Sequence, residues 1–322
     1  MSLLTDKQIF VSEIRDRSQA IVDEVEKVIV GKTHTVQFSV LTLLCNGHLL
    51  LEDVPGVGKT TLAKSLARSI GGEFRRLQFT PDLLPSEITG TSIYNQKTTE
   101  FEFRPGPVFG NVVLVDEINR ATPKTQSALL EAMDERQITT DGYSRDLPVP
   151  FFVIATQNSV EMTGTYPLPE AQLDRFFMRL ALGYPERSSE IEILDRQQVS
   201  HPLDSVTRVV DLDDLVELQH AVSRIFVHDV VKEYIVAVVR ATRESNELLM
   251  GASPRATLHL MRASQAHAAM AGVDFVRPDD VKAVAAPLLA HRVMARPGAR
   301  GAGVDEIISH LLTTIVAPVP VK

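Results

Sequence analysis

Residues 49–61 read Leu-Leu-Leu-Glu-Asp-Val-Pro-Gly-Val-Gly-Lys-Thr-Thr, an apolar run feeding a glycine-rich turn and then Gly58-Lys59-Thr60. That order predicts a strand, a phosphate-binding loop and a helix. In such a loop the N–H groups of residues 56–60 turn inward around a β-phosphate, and Pro55, Val57 and Thr61 complete the nucleotide-binding set. Lys59 reaches the β- and γ-phosphates of ATP, and the Thr60 hydroxyl ligates Mg²⁺. Glycine is needed at Gly56 and Gly58 because a Cβ would obstruct the turn or the phosphate. The general pattern G-x-x-x-x-G-K-[ST] asks for glycine at position 53, where this chain carries Asp53.

An acidic pair follows at a place that suits this chemistry. Val112-Val-Leu-Val115 is continuously apolar and ends in Asp116-Glu117. Alone, that is a solvated strand end. Downstream of a phosphate loop, Asp116 can hold the Mg²⁺ shell opposite Thr60, and Glu117 can polarise the attacking water. Asn158 ends the next apolar run and is placed to hydrogen-bond the γ-phosphate or the water; as a turn-former it could equally cap the strand. Arg175 lies at a predicted helix end beside Phe176 and Phe177, where it could bring positive charge to a neighbouring subunit's nucleotide or simply pair with Asp174 or Glu170. Arg255, after Ser253-Pro254, opens a helix that could close over the phosphates.

The elements that must position these groups follow from periodicity. Helical spacing runs from Phe10 to Val28 and from about Thr33 to Cys45, where Asn46-Gly47 predicts a left-handed cap. Strands are expected at 49–51, 74–79, 112–115 and 151–155, with a helix after the loop and another from Pro123 to about Met133 behind Thr122. Residues 91–104 alternate as a hairpin, and Asp141-Gly142 marks a second hairpin within 137–147. This is a doubly wound parallel α/β sheet with its ligand crevice at the carboxyl ends of the strands. Composition shifts near Gly183. Beyond it no strand is convincing, and helices are expected at 189–199, 211–226, 228–247, 255–271, 278–290 and 304–316. The division is an α/β nucleotide-binding domain, 1–186, and an all-helical domain, 187–322.

The rest of the composition excludes more than it selects. The 322 residues are 44% hydrophobic and 23% charged, with a net charge of −8, the profile of a soluble globular chain. The acidic balance is spread over both domains and argues against nucleic acid as the main partner. No apolar run approaches the ~20 residues of a membrane span, and the N-terminus does not resemble a signal peptide. One cysteine, Cys45, excludes an internal disulfide and suits a reduced, cytoplasmic compartment, with the thiol read as buried filler. The nine histidines have no metal-ligand spacing, and no serine-nucleophile signature occurs.

Taken together, Glu52-Asp-Val-Pro-Gly-Val-Gly-Lys-Thr-Thr61, Leu114-Val-Asp-Glu-Ile-Asn-Arg-Ala121, Ala155-Thr-Gln-Asn158, Leu168-Pro-Glu-Ala-Gln-Leu-Asp-Arg-Phe176 and Gly251-Ala-Ser-Pro-Arg-Ala256 resemble, in order, the motifs of the MoxR family of AAA+ ATPases. The resemblance covers nearly the whole chain. It implies Walker A, Walker B, sensor 1, an arginine-finger segment around Arg175 and a sensor 2 at Arg255, with an AAA+ fold and a C-terminal helical lid. It makes about 80–109 the helix-2 insert, about 137–147 the hairpin before sensor 1, and Val30-Gly31 the adenine-side contact. Asp53 is tolerated in the family, and Ser159 stands where the family often has proline.

The resemblance further implies a homo-oligomeric ring, expected to be a hexamer, with a chaperone-like role on a protein client. The partner would be a von Willebrand factor A domain protein acting in trans. Two other readings remain open from the sequence: a nucleotide-gated binding module with incidental turnover, and a DNA-linked AAA+ motor.

Overall fold

The computed structural model describes residues 10–158, 164–198, 202–298 and 303–318; Ser159, the break at His201 and the Pro320 tail lie outside them. Helices α1 (Val11–Glu26) and α2 (Thr33–Leu44) precede strand β1 (Leu49–Glu52), α3 (Lys59–Ser69) and β2 (Phe74–Gln78). The insert comprises α4 (Pro85–Thr89) and the hairpin β3 (Gly90–Asn95)–β4 (Glu100–Pro105). Then come β5 (Val112–Asp116), α5 (Pro123–Glu135), a hairpin of β6 (Gln137–Thr140) and β7 (Tyr143–Asp146), and β8 (Phe152–Gln157). Short α6 (Glu170–Leu173) and β9 (Met178–Leu180) close the α/β part. The remainder is α7 (Arg187–Gln197), α8 (Leu212–Ser223), α9 (Asp229–Glu244), β10 (Leu248–Met250), α10 (Pro254–Met270), α11 (Pro278–Leu289), β11 (Met294–Ala295) and α12 (Val304–Thr314).

The main sheet has the order β2-β5-β8-β1-β9, and every pairing is parallel. Alternation within the strands explains why both faces are covered. Leu49, Leu51, Val112, Leu114, Phe152 and Ile154 face one apolar core with α1, α2 and α3. Leu50, Val113, Val115, Val153 and Ala155 face the other, with α4, α5 and the base of the insert. Apolar runs of this kind are buried on both sides, which is why they lack the polar alternation of a half-exposed strand.

Several turns follow the local chemistry. Asn46 takes φ +52° and Asp141-Gly142 takes φ +56° and +79°, the left-handed pair of a tight hairpin. Thr122 stands at the N-cap of α5, although its hydroxyl meets the Thr125 hydroxyl at 3.2 Å instead of a backbone N–H.

The structure corrects the all-helical expectation beyond Gly183. β10 and β11 form a short antiparallel pair, bracketing α10 and α11, with Leu248 opposite Ala295. Strands of two or three residues are too short to show a period. β9 also went unread, for the same reason. One apolar core runs without interruption from α1 and α2 to α8, α10, α11 and α12, so the helical domain is packed against the first two helices of the chain.

Candidate nucleotide site

At the carboxyl edge of the sheet, β1 runs into the phosphate loop. Gly56 and Gly58 adopt φ +86° and +101°, conformations that side chains strain to reach. Gly58 is the N-cap of α3 and offers no side-chain acceptor, so the first N–H groups of that helix lack an intrahelical partner. Lys59 Nζ donates to the carbonyls of Asp53 at 3.0 Å and Val54 at 3.2 Å. Burial lowers the Lys59 pKa, while Asp53, Asp116 and Glu117 pull it back up.

The loop borders an open cleft of about 320 Å³, lined by Pro55, Gly56, Gly58, Lys59, Thr60, Thr61, Asp116, Glu117 and Asn158. The expected phosphate, metal, water and sensor groups therefore share one space. β5 and β8 deliver Asp116 and Asn158 from adjacent strand ends, as their parallel register requires. A second cleft of about 250 Å³ shares Gly56, Gly58 and Thr61 with the first and is walled by Ile29, Val30 and Val57. Val30 thus lines a cleft that adjoins the phosphate loop. Gly31 lies behind it and does not line the cleft; a Cβ there would come within 2.2 Å of Ser189 Oγ, so its glycine makes room for α7.

Four polar partners that sequence reading missed organise the acidic pair. Asp116 Oδ2 accepts from Arg76 Nε at 2.8 Å, and Thr156 Oγ1 lies 3.4 Å from Asp116 Oδ1. The Glu117 N–H donates to Thr156 Oγ1 at 2.9 Å. Its Oε2 accepts from Gln78 Nε2 at 2.8 Å and Arg120 Nη1 at 3.0 Å, with Glu117 itself at φ +57°. Arg76 and Gln78 alternate on β2, the strand beside β5, and that alternation of polar residues was the available signal.

The donor set fits a hard divalent cation. A hydroxyl (Thr60) and a carboxylate (Asp116) line one cleft, both oxygen ligands, with room left for phosphate oxygens and water. No cluster of three or more His, Cys, Asp or Glu side chains suited to a metal occurs among the described residues.

Arg175 and Arg255 are brought together, but elsewhere. Arg175 Nε meets Asp134 Oδ2 at 2.5 Å, and Arg255 Nη2 meets Asp134 Oδ1 at 2.6 Å. Arg175 thus pairs with Asp134 in place of the expected Asp174 or Glu170. Burial works to raise the Asp134 pKa, yet the two guanidinium groups prevail and hold it below the usual carboxylate range. These residues line a cleft of about 240 Å³ with His48, Arg136, His259 and Arg262.

His48 precedes β1, and Asp134 and Arg136 close α5 before β6, so this cleft is at the amino edge of the sheet. It is one strand length, about 13–20 Å at 3.3 Å per residue, from the phosphate loop. Arg255 therefore does not close over the phosphates of its own chain here.

The amino edge is rigidly built. Asp174 accepts from Arg292 Nε at 2.8 Å and from Ser253 Oγ at 2.9 Å, tying the Arg175 segment to α10 and α11. Arg292 is buried, and burial lowers its pKa to about 10 against the pull of Asp174. Burial likewise pushes His259 down to about 3 and His48 well below its ordinary value. Cys45 contacts the Arg262 carbonyl at 3.5 Å, and burial pushes its thiol pKa up.

Residues 48–178 match the profile of the ATPase family associated with various cellular activities (AAA), and 240–311 match the AAA lid domain. Over 318 residues the chain is 42% identical to Chaperone MoxR1 of Mycobacterium tuberculosis, spanning 95% of this chain and 84% of that one. The chain belongs to the MoxR family of AAA+ ATPases.

YeaC of Bacillus subtilis is 50% identical over 300 residues, 92% of this chain and 94% of that one. A crystal structure from Cytophaga hutchinsonii superposes with a TM-score of 0.89 at 39% identity, covering 96% of this chain and 97% of that chain. Membership of the AAA+ family entails nucleotide binding by a P-loop, and no described helix is long and apolar enough to cross a membrane.

Proposed function

We propose that this MoxR-family protein is a Mg²⁺-dependent ATPase that works as a head-to-tail ring, expected to be a hexamer, and remodels or matures partner protein complexes. The observation that carries this reading is the separation of two half-sites on one sheet. The carboxyl edge holds the phosphate loop and the acidic pair. The amino edge holds Arg175 and Arg255, whose positive charge a second copy would bring to the nucleotide. A contact between two different edges of identical chains is heterologous, and it closes into a ring when the rotation permits.

In this reading the loop N–H groups and Lys59 bind and orient the triphosphate. Thr60 and Asp116 would hold Mg²⁺, which supplies charge that stabilises the leaving oxygens. Arg76 then has to yield its hold on Asp116. Glu117, released by Gln78 and Arg120, would polarise the attacking water, and Asn158 would orient it. Arg175 and Arg255 of the neighbouring copy would leave Asp134 for the γ-phosphate, stabilising charge that develops there.

On the client side we assign the insert. Its hairpin and β6–β7 are joined by Ser92 Oγ to Asp141 Oδ2 at 2.5 Å, with Arg145 3.9 Å over the Phe103 ring. Together they present the exposed side chains of Tyr94, Phe101 and Tyr143. A von Willebrand factor A domain protein in trans is the proposed partner of the remodelling step; the chaperone-like role itself is in keeping with the name of the mycobacterial relative.

The test is Mg²⁺-dependent ATPase activity in the purified protein. Lys59→Ala should abolish it, and Glu117→Gln should bind ATP without turning it over. Wild-type turnover by Glu117→Gln would remove Glu117 from its role. A pull-down with Glu117→Gln and ATP should retain the client.

The Gln78 and Arg120 hydrogen bonds on Glu117 favour a second reading, a nucleotide-gated binding module with slow turnover. Turnover that no cell-extract fraction stimulates would support it. Stimulation by DNA at low salt would instead favour a DNA-linked motor.

A further inference from the structure

Asp53 sits where the general phosphate-loop pattern has glycine, and the nucleotide chemistry leaves its carboxylate without a task. The structure gives it one. The side chain is 7% exposed and points away from the cleft towards the segment that leaves β9 for the helical domain. Its carboxylate accepts the N–H of Leu182, and both of its oxygens accept the N–H of Gly183, at 3.0 and 3.2 Å. Two successive backbone N–H groups form a concavity suited to an anion, and here the chain's own carboxylate fills it. Gly183 adopts φ +62°, a conformation suited to a pivot.

The backbone of the same residue meets the phosphate-loop lysine. The Asp53 carbonyl accepts from Lys59 Nζ, and the Asp53 N–H donates to the Gln157 carbonyl at 3.2 Å, one residue before Asn158. One residue thus touches the loop lysine, the sensor strand and the connection to the lid.

The connection itself is lightly held. Lys32 Nζ donates to the Tyr184 carbonyl at 2.8 Å. α7 buries none of its residues, yet Ile193 and Arg196 wall the nucleoside cleft. Arg196 anchors the helix to the carbonyls of Glu26 at 3.1 Å and Lys27 at 2.6 Å. A helix without buried side chains belongs to the low-stability end of a fold.

We propose that Asp53 is a positioning residue that couples occupancy of the phosphate loop to the 182–197 connection and so to the helical domain; this rests on the nucleotide-site reading above. Phosphates arriving at the loop draw Lys59 Nζ away from the Asp53 and Val54 carbonyls. The loop backbone then shifts, and the carboxylate carries that shift to Leu182 and Gly183. A ligand moves an equilibrium only by its differential affinity for two states, and this clamp supplies a physical link between them.

Hydrogen exchange of the full-length protein, with and without Mg²⁺ and a non-hydrolysable ATP analogue, tests the coupling. In the wild type, protection is expected at residues 56–62 and at 182–197. In Asp53→Ala the amides of Leu182 and Gly183 should exchange about tenfold faster. Protection at 56–62 should persist, as should direct protection around Ile193 and Arg196 in the nucleoside cleft, while the response at 184–190 disappears. Asp53→Asn, which keeps one carbonyl oxygen as acceptor and preserves shape, should retain a partial response; it stands in if the alanine variant fails to fold. In turnover, kcat should fall about tenfold with KM for ATP changed less than about threefold, because the loss is in a positioning hydrogen-bond pair and not in binding.

A full nucleotide response at 184–190 in either variant overturns the proposal, even if exchange rises over the whole chain. Absence of protection at 56–62 in the wild type would instead refute the nucleotide site itself.

Discussion

The two edges of the central sheet are built on opposite plans. At the carboxyl edge the polar groups lie on loops and strand ends around an open cleft, and hydrogen bonds such as Arg76–Asp116 and Gln78–Glu117 can exchange for ligand contacts. At the amino edge the charges are locked. Arg292 is buried on Asp174, Phe176 and Phe177, and His48 bridges Met133 and Val153. In the proposed reading the carboxyl edge reorganises around substrate, whereas the locked framework of the amino edge fixes where Arg175 and Arg255 stand, so that only their pairing with Asp134 has to exchange. The contrast fits one site divided between two copies.

The sharpest way to break that comparison is to disable each edge separately. Lys59→Ala and Arg175→Ala should each cost about a thousandfold or more in ATPase rate, the scale of lost arginine-finger chemistry. Mixing the two variants should restore measurable activity, because some interfaces then combine an intact loop with an intact arginine. No recovery in assembled rings would place both functions in one chain.

Next in size is the rigidity of the amino edge. Asp174→Ala leaves Arg292 buried without its carboxylate, which should cost about 3–5 kcal/mol, read as a lowered denaturant midpoint. Arg76→Ala at the carboxyl edge removes a pair with a half-exposed guanidinium and should cost about 1 kcal/mol or less. Equal losses would erase the distinction between the edges.

Acid should find the same asymmetry. The folded-state pKa values of His48, His259 and His291 are depressed by burial, so the unfolded chain takes up protons that the folded one refuses. Stability is then greatest above the unfolded histidine value near 6.5 and falls as the pH drops, for His259 towards about 3. A thermal melt series from pH 7.5 to 5 should show the midpoint falling. His259→Gln should flatten that slope, and an unchanged slope would discount this histidine.

The smallest effect belongs to Gln78→Ala. It removes one hydrogen bond from Glu117 and should change turnover about fivefold, upward if the bond restrains the carboxylate and downward if it orients it.

Much of this was legible in the amino-acid chain because the relevant chemistry is local. The turn at 53–61, the acidic end of β5 and the Asp141-Gly142 hairpin each lie within a dozen residues, where spacing and glycine content carry the information. Arg76, Gln78 and Thr156 escaped because each acts across strands, through a register that sequence alone does not print. β9, β10 and β11 escaped because their few residues contain no full period.

By itself the sequence determined membership of the MoxR family of AAA+ ATPases, the parallel sheet and the order of the motifs along the chain. Only the tertiary structure decided that Arg175 and Arg255 share Asp134 at the edge away from the loop, and that Asp53 holds Leu182 and Gly183. Those pairings join residues forty to well over a hundred positions apart, through burial and charge that arise only once the helices pack on the sheet.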